Sequence, residues 1–192
     1  VSTDSVATAI ARRLDRAVTW YAANEGGPAD VRSIGLVRND VWLGTAAGTV
    51  LVVSGSTGAI TDTLDARSGL PNDGITAIAI GPDDRAWAGT ERSGLFVQGT
   101  DGRFAPEVLG TDHLSRHVHG LSVLNGQLWV ATGNGVYVTG EGGRHLTTVT
   151  GLPHNSVNTV FTDRSGRVWM GCNNGGSAVQ VEDQLRRSTL KD

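Results

Sequence analysis

Residues 152–171 read LPHNSVNTVFTDRSGRVWMG, and this stretch decides the fold. It opens on a Pro-containing lead-in and continues as an alternating run centred on Val160. A tight Asp-Arg-Ser-Gly turn follows, and then a second run around Trp169. Alternation with period two marks half-buried strands, and Gly, Asp and Asn between them mark turns. The phrase is not alone. LPNDGITAIAIGPDDRAWAGT at 70–90 repeats it, and Trp42 and Trp129 sit in the shorter echoes VWLGT and LWVAT, beside AWAGT and VWMGC. The four tryptophans Trp42, Trp87, Trp129 and Trp169 fall 45, 42 and 40 residues apart.

Around each tryptophan the same features recur in order. Upstream stands an aliphatic residue in an alternating run (Ile34, Ile78, Leu121, Val160), then a turn (RND, GPDD, NGQ, DRSG). Downstream come a glycine and a third run: TVLVV, LFVQ, VYVT and SAVQV. The lead-ins EGGPAD, SGLPND and TGLPHN match one another, and the third unit departs with DHLSRH. A period near 40 residues with four short strands per unit is the signature of a propeller blade. In the second unit the strands are expected over 75–80, 86–90, 94–98 and about 104–109. A two-sheet sandwich would explain the strands but not the even spacing of the tryptophans.

The expected fold is therefore all-β, a β-propeller of four four-stranded antiparallel blades with a short N-terminal helix. Residues 1–16 read as the helix or a linker, with Val6, Ile10 and Leu14 at helical spacing after Asp4. Residues 17–192 read as the propeller, with blades at about 27–69, 70–112, 113–151 and 152–192. RAVTWYAANEGG at 16–27 aligns with the outer-strand segments TDTLDARSGLP and RHLTTVTGLP, so 17–22 is a spare outer strand. It is expected to close the last blade, with the tail EDQLRRSTLKD as the competing candidate. A large flat ring on the second strand fills the wedge between twisted sheets. The small residue two positions on, Gly44, Gly89, Ala131 or Gly171, leaves room for the neighbour.

The combined phrase Leu-Pro-x-Asn/Asp, alternating strand, Asp-x-x-Gly-x-x-Trp-x-Gly resembles the two-component regulator propeller repeat. That resemblance covers about Gly27 to the C-terminus. It implies a sensory propeller, a part of a longer bacterial protein with a membrane anchor and a signalling output, and a periplasmic or extracellular place. It also implies more blades than four, so a fragment, a free-standing ring and half of an assembly remain open.

Composition narrows the partners. A formal net charge of -3 with scattered basic residues offers no footprint for nucleic acid or an anionic membrane. No apolar run approaches the ~20 residues that span a bilayer. The chain begins at Val1 with its one methionine at Met170, and a soluble segment is expected. The single cysteine, Cys172, stands where other units have threonine and reads as a small packed side chain.

The loops between blades and those after the second strand are expected to share one face around the channel. They supply Asp30, Asn72, Asp73, Glu91, Arg92, His117, His154, Asn155, Asn173 and Asn174 as candidate ligand-binding residues. Asn and Asp at such places also cap their own backbone in Asx turns. His117 and His119, two apart on an expected strand, have a spacing that can hold metal, but no carboxylate or thiolate joins them. The Asp83-Asp84 and Asp163–Gly166 turns lack the full oxygen set of a calcium loop. No metal site, cofactor or catalytic group is expected, since nucleophile, phosphate-loop, zinc-helix and dinucleotide motifs are all missing. Two functions remain. One is a binding or scaffold module for a small molecule or protein, as a homodimer or with domains of the parent chain. The alternative is a small propeller lyase or hydrolase using His117, His154 and Glu91 at the channel mouth.

Overall fold

The computed structural model describes residues 30–140, 142–181 and 184–188. Sixteen strands form four antiparallel sheets, each made of four strands consecutive in sequence. Blade 1 holds β1 (Val31–Val37), β2 (Asp40–Thr45), β3 (Val50–Ser54) and β4 (Ile60–Leu64). Blade 2 holds β5 (Ile75–Ile80), β6 (Ala86–Thr90), β7 (Leu95–Gln98) and β8 (Phe104–Glu107). Blade 3 holds β9 (Val118–Leu124), β10 (Gln127–Thr132), β11 (Gly135–Val138) and β12 (Arg144–Leu146). Blade 4 holds β13 (Val157–Thr162), β14 (Val168–Cys172), β15 (Gly176–Val181) and β16 (Gln184–Ser188). The expected N-terminal helix and the spare strand at 17–22 lie outside the described residues. The outer strand of blade 4 comes instead from the C-terminal tail, where β16 pairs with β15 from Val181↔Gln184 to Ser177↔Ser188. A tail strand whose first residue, Gln184, pairs with Val181 only three positions back needs no long loop closure, which favours it over a strand from the far end of the chain.

Alternation sends each blade's side chains to two faces, and the apolar residues of facing sheets meet in three separate cores. Trp42, Val52 and Leu64 of blade 1 pack with Ala88, Phe96 and Phe104 of blade 2. Trp87, Leu95 and Val97 of blade 2 pack with Leu128 and Val130 of blade 3. Trp129, Val136 and Val138 of blade 3 pack with Val160, Met170 and Ala178 of blade 4. Each fully buried aliphatic side chain contributes roughly 1.5–3 kcal/mol. Two glycines show how closely the sheets approach. A Cβ on Gly35 would stand 2.6 Å from Ile78 Cγ2, and one on Gly44 would stand 2.7 Å from Ile75 Cγ2.

Every first strand carries a bulge after its first residue, with register shifts at Val31/Ser33, Ile75/Ala77 and Val157/Thr159, and opposite Ala131/Thr132 in blade 3. The bulge residues Thr76 and His119, and in β1 the residue after the bulge, Ser33, turn a polar side chain toward the next blade. Ser33 Oγ donates to Ile75 O at 2.8 Å, and Thr76 Oγ1 donates to Val118 O at 2.5 Å. His119 Nδ1 lies 2.7 Å from Val157 O. The sheets thus follow one another as β1 against β5, β5 against β9 and β9 against β13, with no comparable packing between β13 and β1.

Among the described residues no blade covers the two ends of this arc. On blade 1, Ile34 and Leu36 are each 71 % exposed, although the residues in their places on blade 2, Ile78 and Ile80, pack into a core. On blade 4, Phe161 is 61 % exposed, and Trp169 is half-buried while the other three repeat tryptophans are buried.

Candidate functional site

One backbone bond recurs in all four blades and brings the two loop sets together. Ala46 donates to Asp30 O, Glu91 to Gly74 O, Gly133 to His117 O and Asn173 to Ser156 O, at 2.8–3.1 Å. Neighbouring blades are tied at the same level, with Gly94 donating to Arg116 O and Gly135 to Asn155 O. Gly48 lies so close to the next lead-in that a Cβ would meet Pro71 O at 2.6 Å, and its φ of +82° is one that glycine adopts without strain.

On this loop face the sequence candidates are put to different uses. Asp73, Asn155 and His154 hold backbone. Asp73 Oδ2 accepts from Arg92 N and Ser93 N, both at 2.7 Å. Burial works against its charge, but these N–H groups outweigh that and hold its carboxyl below the ordinary range. Asn155 Oδ1 accepts from Thr148 N at 2.7 Å, and His154 Nδ1 accepts from Ser156 N at 3.0 Å. Asn72, Asn173 and Asn174 are exposed. A second group forms a chain of exposed charge at the corner of blades 1 and 2. Arg32 pairs with Asp30 at 3.5 Å and Glu91 at 3.4 Å, and Arg92 pairs with Glu91 at 3.2 Å. Arg32, the bulge residue of β1, had no sequence signal beyond its place in the repeat.

His117 precedes β9 rather than lying on it. A 3-10 turn at Leu114–Arg116 ends there, and the His117 ring stands edge-on to His113 with centroids 6.2 Å apart. His119 is committed to the next blade, so the two histidines do not face one ligand. Among the described residues no three His, Cys, Asp or Glu side chains are grouped to hold a metal. None of the described hydrogen bonds or ion pairs joins His117, His154 and Glu91 to one another. Cys172 is half-buried, and burial pushes its thiol up, against a backbone hydrogen bond from His154.

Asp112 is a loop-face residue that the sequence reading passed over. It accepts from the Ser115 hydroxyl, from Ser115 N at 3.0 Å and from Asn134 Nδ2 at 3.1 Å, and Ser115 Oγ meets Tyr137 OH at 2.8 Å. The Ser115 hydroxyl leads in lowering its carboxyl to about 2. The atypical third lead-in, DHLSRH, is this network written in sequence.

The opposite face carries the turns between first and second strands, and there the tryptophans differ. In blade 4, Asp163 Oδ2 accepts from Trp169 Nε1 at 2.8 Å and from Arg167 Nε at 2.7 Å. The Trp169 N–H is the leading cause holding that carboxyl far below its ordinary range. In blade 2, Asp83 accepts from Arg85 Nε at 2.5 Å and from Trp87 Nε1 at 3.4 Å. Burial opposes its charge, and the Arg85 and Trp87 contacts still lower it. Both arginines lie over the indole they share an acceptor with, Arg167 at 5.4 Å and Arg85 at 5.8 Å from the ring centroid. Blade 3 keeps a cation over its indole, Arg144 at 5.6 Å from the Trp129 ring, but the Trp129 Nε1 is buried with no acceptor among the described residues.

The family profile described as Two component regulator propeller matches residues 151–174, the lead-in and first two strands of blade 4. The chain carries a two component regulator propeller repeat. The extracellular domain of BT3049 from B. thetaiotaomicron, described as a hybrid two component system, is similar over 86 % of this chain and 23 % of its own, with a TM-score of 0.68 at 22 % identity. Virginiamycin B lyase from Staphylococcus aureus is similar over 82 % of this chain and 55 % of its own, with a TM-score of 0.65 at 15 % identity. The computationally designed Ika4 protein is similar over 80 % of this chain and 92 % of its own, with a TM-score of 0.56 at 20 % identity. At these identities the likeness is one of fold, and it makes the repeat-bearing chain a β-propeller. The chain spans about a quarter of the BT3049 domain. Comparison with curated protein sequences gives no match.

Proposed function

We propose that the chain is a sector of a sensory β-propeller: a rigid arc that continues through its two end faces into further blades and offers its loop face to a small molecule or a protein. The observation that carries this reading is the pair of uncovered ends. Ile34 and Leu36 occupy the positions that Ile78 and Ile80 fill against blade 1. Phe161, Trp169 and Gly171 occupy the positions of Ala79, Trp87 and Gly89, which face blade 3. An apolar strip with its mate at the other end of the same chain is what a ring interface looks like when opened.

The propeller repeat supports a sensor rather than a catalyst, and the likeness to an extracellular domain supports a place outside the cytoplasmic membrane. The exposed chain Asp30–Arg32–Glu91–Arg92 and the exposed Asn72, Asn173 and Asn174 are the candidates on the loop face best placed to meet a partner, because Asp73, His154 and Asn155 are occupied with backbone.

Light scattering across a concentration series tests the sector reading. The chain is expected to exceed the mass of one copy as concentration rises, and Ile34→Asp with Phe161→Asp is expected to return it to one copy. A strictly single-copy chain with both faces intact would overturn the reading.

A further inference from the structure

Between blades 3 and 4, on the face opposite the loop candidates, lies a cavity of about 260 Å³ lined by Leu124, Asn125, Gln127, Trp129, Arg144, Gly166 and Gln180. Its distinguishing feature is Trp129. The residue is 2 % exposed, and its Nε1 N–H has no acceptor among the described residues. A buried donor left unpaired costs about 1–3 kcal/mol, so native structures rarely keep one without a use.

Blades 2 and 4 show what an acceptor at this place looks like. There an indole N–H and a guanidinium converge on one carboxylate, Asp83 or Asp163. Blade 3 preserves the two donors and lacks the acid. Its turn is Asn125-Gly126, with φ of +50° and +73°, too short to carry the Asp of GPDD or DRSG. By strand pairing Leu124 stands where Asp163 does, and Gln127 stands where Arg85 and Arg167 do. The cation has moved to the outer strand, on Arg144 of β12, and the described residues give it no ion pair. By strand pairing the position of Arg144 on the outer strand is held by Asp62 in blade 1, Ala105 in blade 2 and Arg186 in blade 4, where the guanidinium bonds Gln184 and Asp163 already caps the indole.

We propose that this cavity binds a small organic carboxylate, held by the Trp129 indole N–H and the Arg144 guanidinium, in the place that an aspartate side chain takes in blades 2 and 4. A charge-assisted pair of bonds to one carboxylate is about twice as strong as neutral ones. The volume lies below the range of drug-sized pockets, which suits an acid of a few carbon atoms. Leu124 lies against its apolar part, and Asn125 and Gln127 form the polar rim. The site is independent of the loop face and of how the end faces are covered, because both blades that form it lie within the chain.

The test reads the indole N–H resonances of the five tryptophans by two-dimensional ¹H–¹⁵N NMR, with Trp129 assigned by its loss in Trp129→Phe. Sodium acetate and sodium propionate are titrated at ionic strength held constant with sodium chloride. The Trp129 resonance is expected to move saturably while those of Trp42, Trp87 and Trp169 stay in place. In Arg144→Gln, whose half-buried side chain carries no core, the apparent affinity is expected to fall at least tenfold with the other resonances unchanged. A Trp129 signal that does not saturate with either acid overturns the proposal, as does a response that Arg144→Gln leaves intact. An equal response to inorganic phosphate overturns the assignment to carboxylates. Failure here would leave the light-scattering result, and with it the sector reading, untouched.

Discussion

Blades 2 and 4 carry nearly the same phrase, LPND–AWAG and LPHN–VWMG, with strands of similar length and the same aspartate-capped indole. Yet Trp87 is 6 % exposed, whereas Trp169 is half-buried and Phe161 beside it lies open. The difference is made by the neighbour. A repeat residue is written for an interface, and whether it is buried depends on the next blade rather than on its own sheet. Phe161 sharpens the point, because blades 1 to 3 have Gly35, Ala79 and Ser122 in its place, and a Cβ on Gly35 already meets the next blade. The end of the arc is thus free of the size limit that the interior obeys.

Truncating the two tryptophans should separate interior from end most widely. Trp87→Ala is expected to cost about 3–5 kcal/mol, the range for large-to-small core changes. Trp169→Ala should cost about 1–2 kcal/mol in the same urea titration, since its ring gives up less buried area. Equal losses would break the comparison and mean that the outer face of blade 4 is covered in solution. Adding bulk tests the same contrast from the other side. Gly44→Val drives a methyl into Ile75 and should cost about 1–3 kcal/mol. Gly171→Val meets only Thr159 of its own sheet, at 3.0 Å from its Cγ2, and should stay within about 0.5 kcal/mol.

A polar replacement at the first end, Leu36→Gln, should likewise leave the urea midpoint within about 0.5 kcal/mol of the parent. A larger loss would show that blade 1 is not an open end. The smallest effect concerns acid. Asp83 and Asp163 are both held below their ordinary values, so the stability they contribute is complete above about pH 4, where the unfolded carboxylates ionise, and is lost as pH falls through their folded values. Thermal melts between pH 5 and 3 should fall less steeply in Asp163→Asn than in the parent. An unchanged slope would remove the aspartate cap from the account of blade 4.

The blade plan was legible because tryptophan spacing and period-two alternation are local. In the second unit the expected strands at 75–80 and 86–90 are those observed, and the outer two end within two residues of expectation. The outer strand of blade 4 was not legible, because 17–22 and the C-terminal tail carry similar patterns and only proximity decides between them. On the loop face, residue type identified polar positions but not their employment. Asp73 and Asn155 turn inward to backbone, while the bulge points Arg32 outward to Glu91. Asp-x-x-Gly-x-x-Trp held a further signal, since an aspartate six residues before the ring is its hydrogen-bond acceptor in blade 4. The cavity beside Trp129 shows only when that aspartate is missing and a cation from another strand remains, a coincidence of three strands that no single stretch records.

Every hydrogen-bonded strand pair in the described chain joins strands adjacent in sequence, including the last, where β16 completes blade 4 from its own tail. Such a protein has short loops to close and can begin folding in any blade. It is also easy to lengthen. A duplicated or inserted unit of some forty residues brings its own four strands and both of its faces, so the number of blades can change by recombination at the lead-ins without re-pairing a single existing sheet.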